Sequence, residues 1–418
     1  MDLPPVALTF AAMETIDILV AGGGVAGLTA TLALAEKGWR TVCVDPAPSG
    51  AGAHDTRTTA FLAPAVELLT KVGVWGGLDA EIAPLATMRL IDAGGEANEA
   101  RETVDFRAEE IGEPRFGWNI PNTAIRAALT ERLQSQKLAE LRSGLRLDRL
   151  TRRRDHMIAR LSNGDVLHAR LVVGADGRNS AVRNLAGIGA RRWTYGQKAL
   201  VFTVSHDAPH LGVSTEIHRT GGPFTLVPMP DGDQGPRSSV VWMERSAEAD
   251  RLASLPEAAF EIELNDRALG VLGRLKLISD RAAWPMLSLL ADRLTAPRVA
   301  LIAEAAHVVP PIGAQGLNTS LGDIRALADA GMGGDPGRPE ALAIYARRWR
   351  EVAARVRGVD ALNRAAIAEA QPLRDLRRAG LSMIARAAPI RRAAMTLGTG
   401  RQATVKRPGT SPLDPATR

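Results

Sequence analysis

Residues 15–45 read TIDILVAGGGVAGLTATLALAEKGWRTVCVD. The first seven form a short apolar run rich in β-branched residues, which reads as a buried strand. A glycine loop follows, then residues 28–37 read as a helix ended by Gly38, and residues 41–45 as a second buried strand. Strand, crossover helix and strand make a βαβ unit of the kind that builds parallel sheets. Inside it, Gly22-Gly23-Gly24-Val25-Ala26-Gly27 fits G-x-G-x-x-G. Gly22 permits the tight turn, Gly24 lets a pyrophosphate approach the backbone, and Gly27 allows close helix–strand packing, while the helix N-terminus faces the phosphates. Asp45 closes the second strand, the place for a carboxylate that accepts the ribose hydroxyls of an adenosine. Gly22, Gly24, Val25, Ala26, Gly27 and Asp45 are therefore the expected dinucleotide cradle. The motif alone does not separate NAD from FAD.

Outward from this unit the texture changes. Residues 46–58 are loop-like, and residues 59–75 and 122–140 read as helices. Residues 171–173 are a buried strand closing on GADG. From about 196 to 244, the runs ALVFTV, STEIHR, PFTLVPM and SSVVWM alternate with Gly/Pro/Asp turns and read as antiparallel strands. Residues 256–274 look helical, 298–303 form a further buried strand, and 316–330 a helix. GMGGDPGRP (331–339) is a linker, and helices fill 338–397. The expected class is α/β: a Rossmann-like nucleotide domain with a parallel sheet, interleaved with a second domain on an antiparallel sheet, plus C-terminal helices. The nucleotide domain is expected over 15–72, 120–184 and 296–335, the second domain over 73–119 and 185–295, and the helical segment over 336–398. Residues 1–14 and 399–418 are expected to be flexible tails.

Composition bounds the function. The chain has 418 residues, 45% hydrophobic and 23% charged, which excludes wholesale disorder. Aromatics make up 4%, too few for a surface built to stack single-stranded nucleic acid. The one cysteine, Cys43, lies in an apolar run and reads as a buried structural thiol. No basic segment precedes the first apolar stretch, so a secretory leader is not expected, and no apolar run reaches the ~18 residues of a membrane span. A cytoplasmic location is the expectation. The net charge of +6 is uneven: residues 341–418 hold 16 Lys+Arg against 5 Asp+Glu. A basic tail suits an anionic surface, membrane lipid or nucleic acid, and a solvated arginine-rich helix face accounts for it equally well.

Three further segments carry chemistry. Asp55-Thr56-Arg57-Thr58-Thr59-Ala60 precedes a helix; GADGRNSAVR spans 174–183; VALIAEAAHVVPPIGAQGLNTSLGD spans 299–323. GADG can be a simple turn and Arg57 a plain surface arginine. The loop 310–318, PPIGAQGLN, opens a helix, and its N–H groups and positive dipole end suit a developing negative charge. His307 invites a general-base or a structural reading. The seven histidines show no metal-ligand spacing, so no metal is expected.

Together these segments resemble the group A FAD-dependent aromatic hydroxylases, of the para-hydroxybenzoate hydroxylase fold, and most closely the hydroxylases of ubiquinone biosynthesis. WTYGQKALVFTV (193–204), GGPFTLVPMPDG (221–232), PLRDLRRAGLSMI (372–384) and PIRRAAM (389–395) extend the likeness over residues 15–398. The resemblance implies FAD, with Asp176 and Gly177 near the pyrophosphate, Arg57 beside the flavin, and Glu304 offering a carboxylate to the ribityl chain. Gly313, Gln315, Gly316, Leu317 and Asn318 would hold the reduced, anionic ring. In this family His307 is mostly structural, and no side chain is singled out as catalytic because the flavin performs the hard step. Three departures stand out. Ala303-Glu304 replaces the usual Gly-Asp, Ala314 replaces a second glycine, and Thr123 stands where an arginine is common.

The implied activity is an FAD-dependent monooxygenation of a polyprenylated phenol, using NAD(P)H and O₂ through a flavin hydroperoxide. The alternatives are a reductase or dehydrogenase of the same fold, or a non-catalytic flavoprotein subunit. The late helices offer an apolar side (Leu381, Met383, Ile384, Ile390, Met395) and a basic side (Arg377, Arg378, Arg386, Arg391, Arg392). That pattern suits peripheral contact with the inner face of the membrane and access to a lipid substrate, or packing against the body. A biosynthetic complex is compatible with it; nucleic acid is not expected.

Overall fold

The structure, a computed structural model, describes residues 13–400 except 51, 53, 54, 96, 97, 234 and 369. In chain order the first half holds β1 (Met13–Ala21), α1 (Val25–Ala35), β2 (Thr41–Asp45), β3 (Thr58–Leu62), α2 (Ala63–Lys71), β4 (Ala83–Leu85), β5 (Thr87–Asp92), β6 (Glu102–Arg107), β7 (Gly117–Pro121), α3 (Asn122–Ser135), β8 (Ala139–Ser143), β9 (Leu147–Arg152), β10 (Met157–Leu161), β11 (Val166–Gly174) and α4 (Ala181–Leu185). The second half adds β12 (Ala190–His206), β13 (Val213–His218), β14 (Pro223–Gly232), β15 (Gly235–Arg245), α5 (Ser246–Ser254), α6 (Glu257–Ala268), β16 (Leu275–Leu277), β17 (Ala282–Ala291), β18 (Thr295–Ala296), β19 (Val299–Leu301), β20 (His307–Val308), α7 (Gln315–Ala330), α8 (Pro339–Ala346), α9 (Trp349–Ala366), α10 (Gln371–Arg386) and α11 (Ala388–Gly398).

Three sheets organise the chain. The first has the order β18-β19-β11-β1-β2-β8, with the β9–β10 hairpin appended to β11. β19, β11, β1, β2 and β8 run parallel, and residues 18–21, 42–44 and 171–173 are almost fully excluded from water. Their unbroken apolar runs reflect burial on both faces. The second, nine-stranded sheet has the order β20-β17-β12-β15-β14-β13-β5-β6, with β16 paired to β12. Its outer face (Leu200, Phe202, Ile217, Phe224, Val240, Trp242) is covered by Leu252, Phe260 and Leu264 of α5 and α6. A small sheet, β3-β7-β4, is tied to β14 by a hydrogen bond from the Asn119 amide to the Pro228 carbonyl.

Several boundaries differ from the sequence reading. β1 begins at Met13, inside the stretch expected to be a tail; residues 1–12 and 401–418 lie outside the described residues. Residues 59–62 form a strand and not a helix start. Thr58 and Thr59 are β-branched and pair with β7, and Pro64 fits only the first turn of α2. The helix expected to reach 274 stops at Ala268 because Leu269 and Gly270 take positive φ of 54° and 66°. β20 pairs with β17, so the chain leaves the parallel sheet at Leu301 and crosses to the antiparallel one before α7 begins.

The apolar side expected of the last two helices is split. Leu381, Ile384 and Met395 pack against Val104 and Phe106 of β6, whereas Met383 and Ile390 stay exposed, beside Leu373, Leu376 and Leu397. Two of the five arginines are likewise turned inward. Arg377 binds Asp92, itself 1% exposed, and Arg391 binds Glu110. Among the described residues no helix is long and apolar enough to cross a membrane.

Candidate functional site

The glycine cradle opens α1. Its N-cap is Gly24, no side chain caps it, and its first turn carries no acid, which leaves N–H donors open. The three glycines differ in what they allow. Gly22 has φ +109°, and a Cβ there would lie 2.3 Å from the Ala175 carbonyl oxygen. A Cβ on Gly27 would lie 1.7 Å from the Gly22 carbonyl oxygen, whereas one on Gly24 would meet nothing within 4 Å. Gly22 and Gly27 are thus required by the fold, and Gly24 borders the open space that a pyrophosphate needs. Asp45 accepts hydrogen bonds from the backbone N–H of Gly23 and Ala47. An ionised carboxylate has about four acceptor positions, so capacity for ribose hydroxyls remains. Beneath it Cys43 is fully buried, its thiol pushed up to about 12 by that burial, as befits an inert core residue.

The GADG turn abuts the cradle. Ala175 N–H donates to the Ala21 carbonyl at 2.8 Å. Gly177 has φ +78°. The Asp176 carboxylate accepts from Ser180 Oγ and from the Val182 N–H at 3.0 Å, so it braces the start of α4, and what it gives the cleft is the shape of the turn. Next along the sheet, Ile302 N–H donates to the Gly174 carbonyl at 2.9 Å, which places Ala303 and Glu304 beside GADG. Ala303 is buried in the left-handed region at φ +53°, where glycine is strain-free. Glu304 is exposed.

Arg57 faces Glu304. Its guanidinium binds Asp55 through two 2.8 Å hydrogen bonds and lies 4.9 Å from the Trp284 ring centroid on β17. Hydrogen bonding to Asp55 raises the Arg57 pKa, and the charge of Glu304 adds to the rise. Burial works to raise the Asp55 carboxyl, but hydrogen bonds from the Arg57 side chain and backbone outweigh it and hold the group below its ordinary value.

The loop 310–318 completes the ring of candidate residues. Gly313 and Ala314 both take positive φ, 61° and 56°, and α7 starts without a side-chain cap. Leu317 packs against the core below, and nothing lies nearer than 4.0 Å to a Cβ placed on Gly316. Gln315 donates to the carbonyls of Gly313 (2.7 Å) and Gly398 (3.0 Å) and accepts from Arg355. Asn318 accepts from Leu62 N–H at 2.9 Å and donates to the Ala60 carbonyl at 2.7 Å. Both side chains therefore brace the loop, and the open N–H groups at the helix start are what it presents to the cleft. Behind the loop, His307 and Asp323 meet at 2.6 Å, 2% and 0% exposed, and Asp323 also accepts from Arg348. This is the structural arrangement expected for His307.

The predicted residues lie on neighbouring turns: Gly22 against Ala175, Gly174 bonded to Ile302, Arg57 near Glu304, and Asn318 bonded to Ala60 and Leu62. Trp284 and Arg355 also contact these residues, with no spacing in the sequence that ties them to the site, whereas Asp55 stands in the same quoted segment as Arg57. The fit to FAD is good: an open approach over Gly24, acceptors at Asp45 and Glu304, and two uncapped helix starts. No group of three His, Cys, Asp or Glu residues suited to a metal occurs among the described residues.

Residues 15–358 match the family model described as an FAD binding domain. The chain belongs to this FAD-binding family. It is 36% identical to the ubiquinone hydroxylase UbiL of Rhodospirillum rubrum, over 94% of this chain and 91% of that one. It is 29% identical to the 3-demethoxyubiquinol 3-hydroxylase of Escherichia coli, over 93% of this chain and 99% of that one. Among solved structures, p-nitrophenol 4-monooxygenase PnpA from Pseudomonas putida superposes with a TM-score of 0.75, covering 92% of this chain and 97% of that one at 18% identity, a likeness of fold. The chain is an FAD-dependent monooxygenase of the hydroxylase type.

Proposed function

We propose that the protein hydroxylates the aromatic ring of a polyprenylated phenol in ubiquinone biosynthesis, with NAD(P)H as electron donor and O₂ as oxidant. The observation that carries this reading is the adjacency of the glycine cradle, the GADG turn and Glu304, with the loop 310–318 packed through Ile312 on the inner face of the nine-stranded sheet. FAD supplies hydride acceptance and oxygen activation when bound. The chain's own residues do the rest. Asp45 and the start of α1 would hold the adenosine end, the GADG turn would lie along the pyrophosphate, and Glu304 would meet the ribityl chain. The N–H groups opening α7 favour negative charge at the ring. Ile312 of the loop packs on Ala199 and Met243 of the inner face, and this contact keeps water out. The relatives named as ubiquinone hydroxylases support the substrate class. The test is aerobic turnover of the FAD-loaded protein with NADH or NADPH and a prenylated phenol. The expected result is a product heavier by one oxygen; donor oxidation without such a product would refute the reading.

The exposed apolar residues of α10 and α11, with Arg378, Arg386 and Arg392 beside them, support docking at the cytoplasmic face of a membrane, where such a substrate resides. Flotation with vesicles of anionic lipid is expected to carry the protein upward at low salt, and its absence there would remove the membrane contact.

A further inference from the structure

The inner face of the nine-stranded sheet is mostly apolar, and register shows which side chains lie on it. Side chains alternate along a strand, and paired residues share a face. Ile217 of β13 and Ile91 of β5 belong to the outer core under α5 and α6, so Glu216, His218 and Leu90 lie on the inner face. Glu216 pairs with Leu90 on one side and Thr225 on the other, and Thr225 pairs with Val241. Val241 packs in the cluster with Ile312 of the flavin loop, and Leu90 in the cluster with Leu381, Ile384 and Met395 of the C-terminal helices. A carboxylate therefore stands midway between the loop that faces the flavin and the helices that close the other side.

Glu216 is 9% exposed. Among the described residues its carboxylate has one hydrogen-bond partner, Nε2 of His218, at 2.6 Å. The other ring nitrogen of His218 is buried without a partner. Of the neighbouring charges, Asp92, which pairs with His218 in register, is held by Arg101 and Arg377, while the buried Nε of Arg374 near Gly94 has no hydrogen-bond partner. Unlike Asp92, the Glu216–His218 pair has unused hydrogen-bonding capacity and, among the described residues, no ion pair to an arginine or lysine. A nearly buried acceptor of this kind is costly unless something fills it.

We propose that Glu216, backed by His218, receives the ring hydroxyl of the aromatic substrate and takes its proton; this rests on the phenolic reading given above. The phenol O–H bond breaks, and the proton passes to the Glu216–His218 pair. The electron pair stays on the phenol oxygen, where it enriches the ring carbons ortho and para to it, the carbons that an electrophilic oxygen attacks. General-base assistance of this kind is worth about 10²–10⁴ in rate.

The probes are 2-geranylphenol and its O-methyl ether, which keeps the ring and the prenyl chain, carries one methyl more and has no proton to give. On FAD-loaded native protein, flavin absorbance changes are expected to show the phenol binding at least about tenfold more tightly than the ether. E216Q should reduce that preference to about twofold while retaining full FAD and an unchanged melting temperature. Hydroxylation by E216Q should fall about 100-fold or more at neutral pH and recover as pH rises toward the phenol's own ionisation near ~10, which a structural defect would not do. H218N, which keeps the carboxylate, should show a smaller loss in the same direction. Unchanged discrimination in E216Q, or a loss equal at every pH, would overturn the proposal. Failure of native protein to bind either probe would instead bring down the phenolic reading, and this inference with it.

Discussion

At Gly24 and Gly27, three positions apart in one motif, an added methyl group has different consequences. Gly27→Ala drives a Cβ into the Gly22 carbonyl and should destabilise the apoprotein itself. Gly24→Ala meets no protein atom, so the apoprotein should melt normally, while FAD binds about 10- to 100-fold more weakly because the methyl occupies the phosphate approach. Calorimetric titration beside a thermal melt separates the two; equal melting losses would refute the distinction. Ala303 makes the opposite case. It sits at φ +53°, a region that costs an L-residue roughly 1–2 kcal/mol. Ala303→Gly should therefore leave stability unchanged or raise it by about 1 kcal/mol in urea unfolding, despite the greater entropy of the glycine chain. A clear loss would show the strain account to be wrong. The sequence marked Ala303 as a departure from the family's glycine, and the backbone angle supplies the physical reason that glycine is usual there. The bracing roles of Gln315 and Asn318 were hidden, because their partners Gly398, Ala60 and Leu62 lie far away in the chain.

Among the elements, α9 is tied to the antiparallel sheet by a polar cluster. Tyr195 Oη donates to Asp360 at 2.6 Å and meets Ser288 at 2.7 Å, and Trp193 Nε1 donates to Asp360 at 2.8 Å. Burial and the Asp360 carboxylate push the Tyr195 phenol up from 10.0 to about 12. The folded state thus favours the neutral phenol. Its contribution is complete below pH 10 and is lost as pH rises from 10 toward 12. Because the ring is partly solvated, the loss should be on the order of 1 kcal/mol. Tyr195→Phe should flatten this part of the alkaline stability profile in denaturant melts, and an unchanged profile would exclude the tyrosine as its source. α10 is held differently, by Arg377 on buried Asp92. Asp92→Asn leaves Arg377 without a carboxylate and Arg101 with Asp375 alone, and should cost about 3 kcal/mol or more, with faster amide exchange in α10. The βαβ unit was legible because its signals are local: apolar runs, a glycine motif and a terminal aspartate. The β3 strand was misread as helix because its partner β7 lies some sixty residues on, and pairing overrides propensity.

For the whole molecule, the decisive feature is that residues 299–318 leave one sheet, add β20 to the other and then open α7. The loop expected to meet the flavin is thereby strung between the parallel sheet and the antiparallel one. The interleaved pattern of parallel and antiparallel segments was visible in the sequence, but the crossing was not, since two residues of β20 carry no periodic signal. Charge is also distributed at this scale, with the basic surplus in the last helices, so any membrane attachment should weaken as salt rises and the ~10 Å screening length at 0.1 M shortens. The most direct test of monooxygenation is turnover of the FAD-loaded protein with a prenylated phenol under isotopically labelled dioxygen. One labelled oxygen atom in the product ring, with matching consumption of NAD(P)H, is the expected result. Substrate reduced without oxygen uptake, or a hydroxylated product whose new oxygen comes from water, would contradict it.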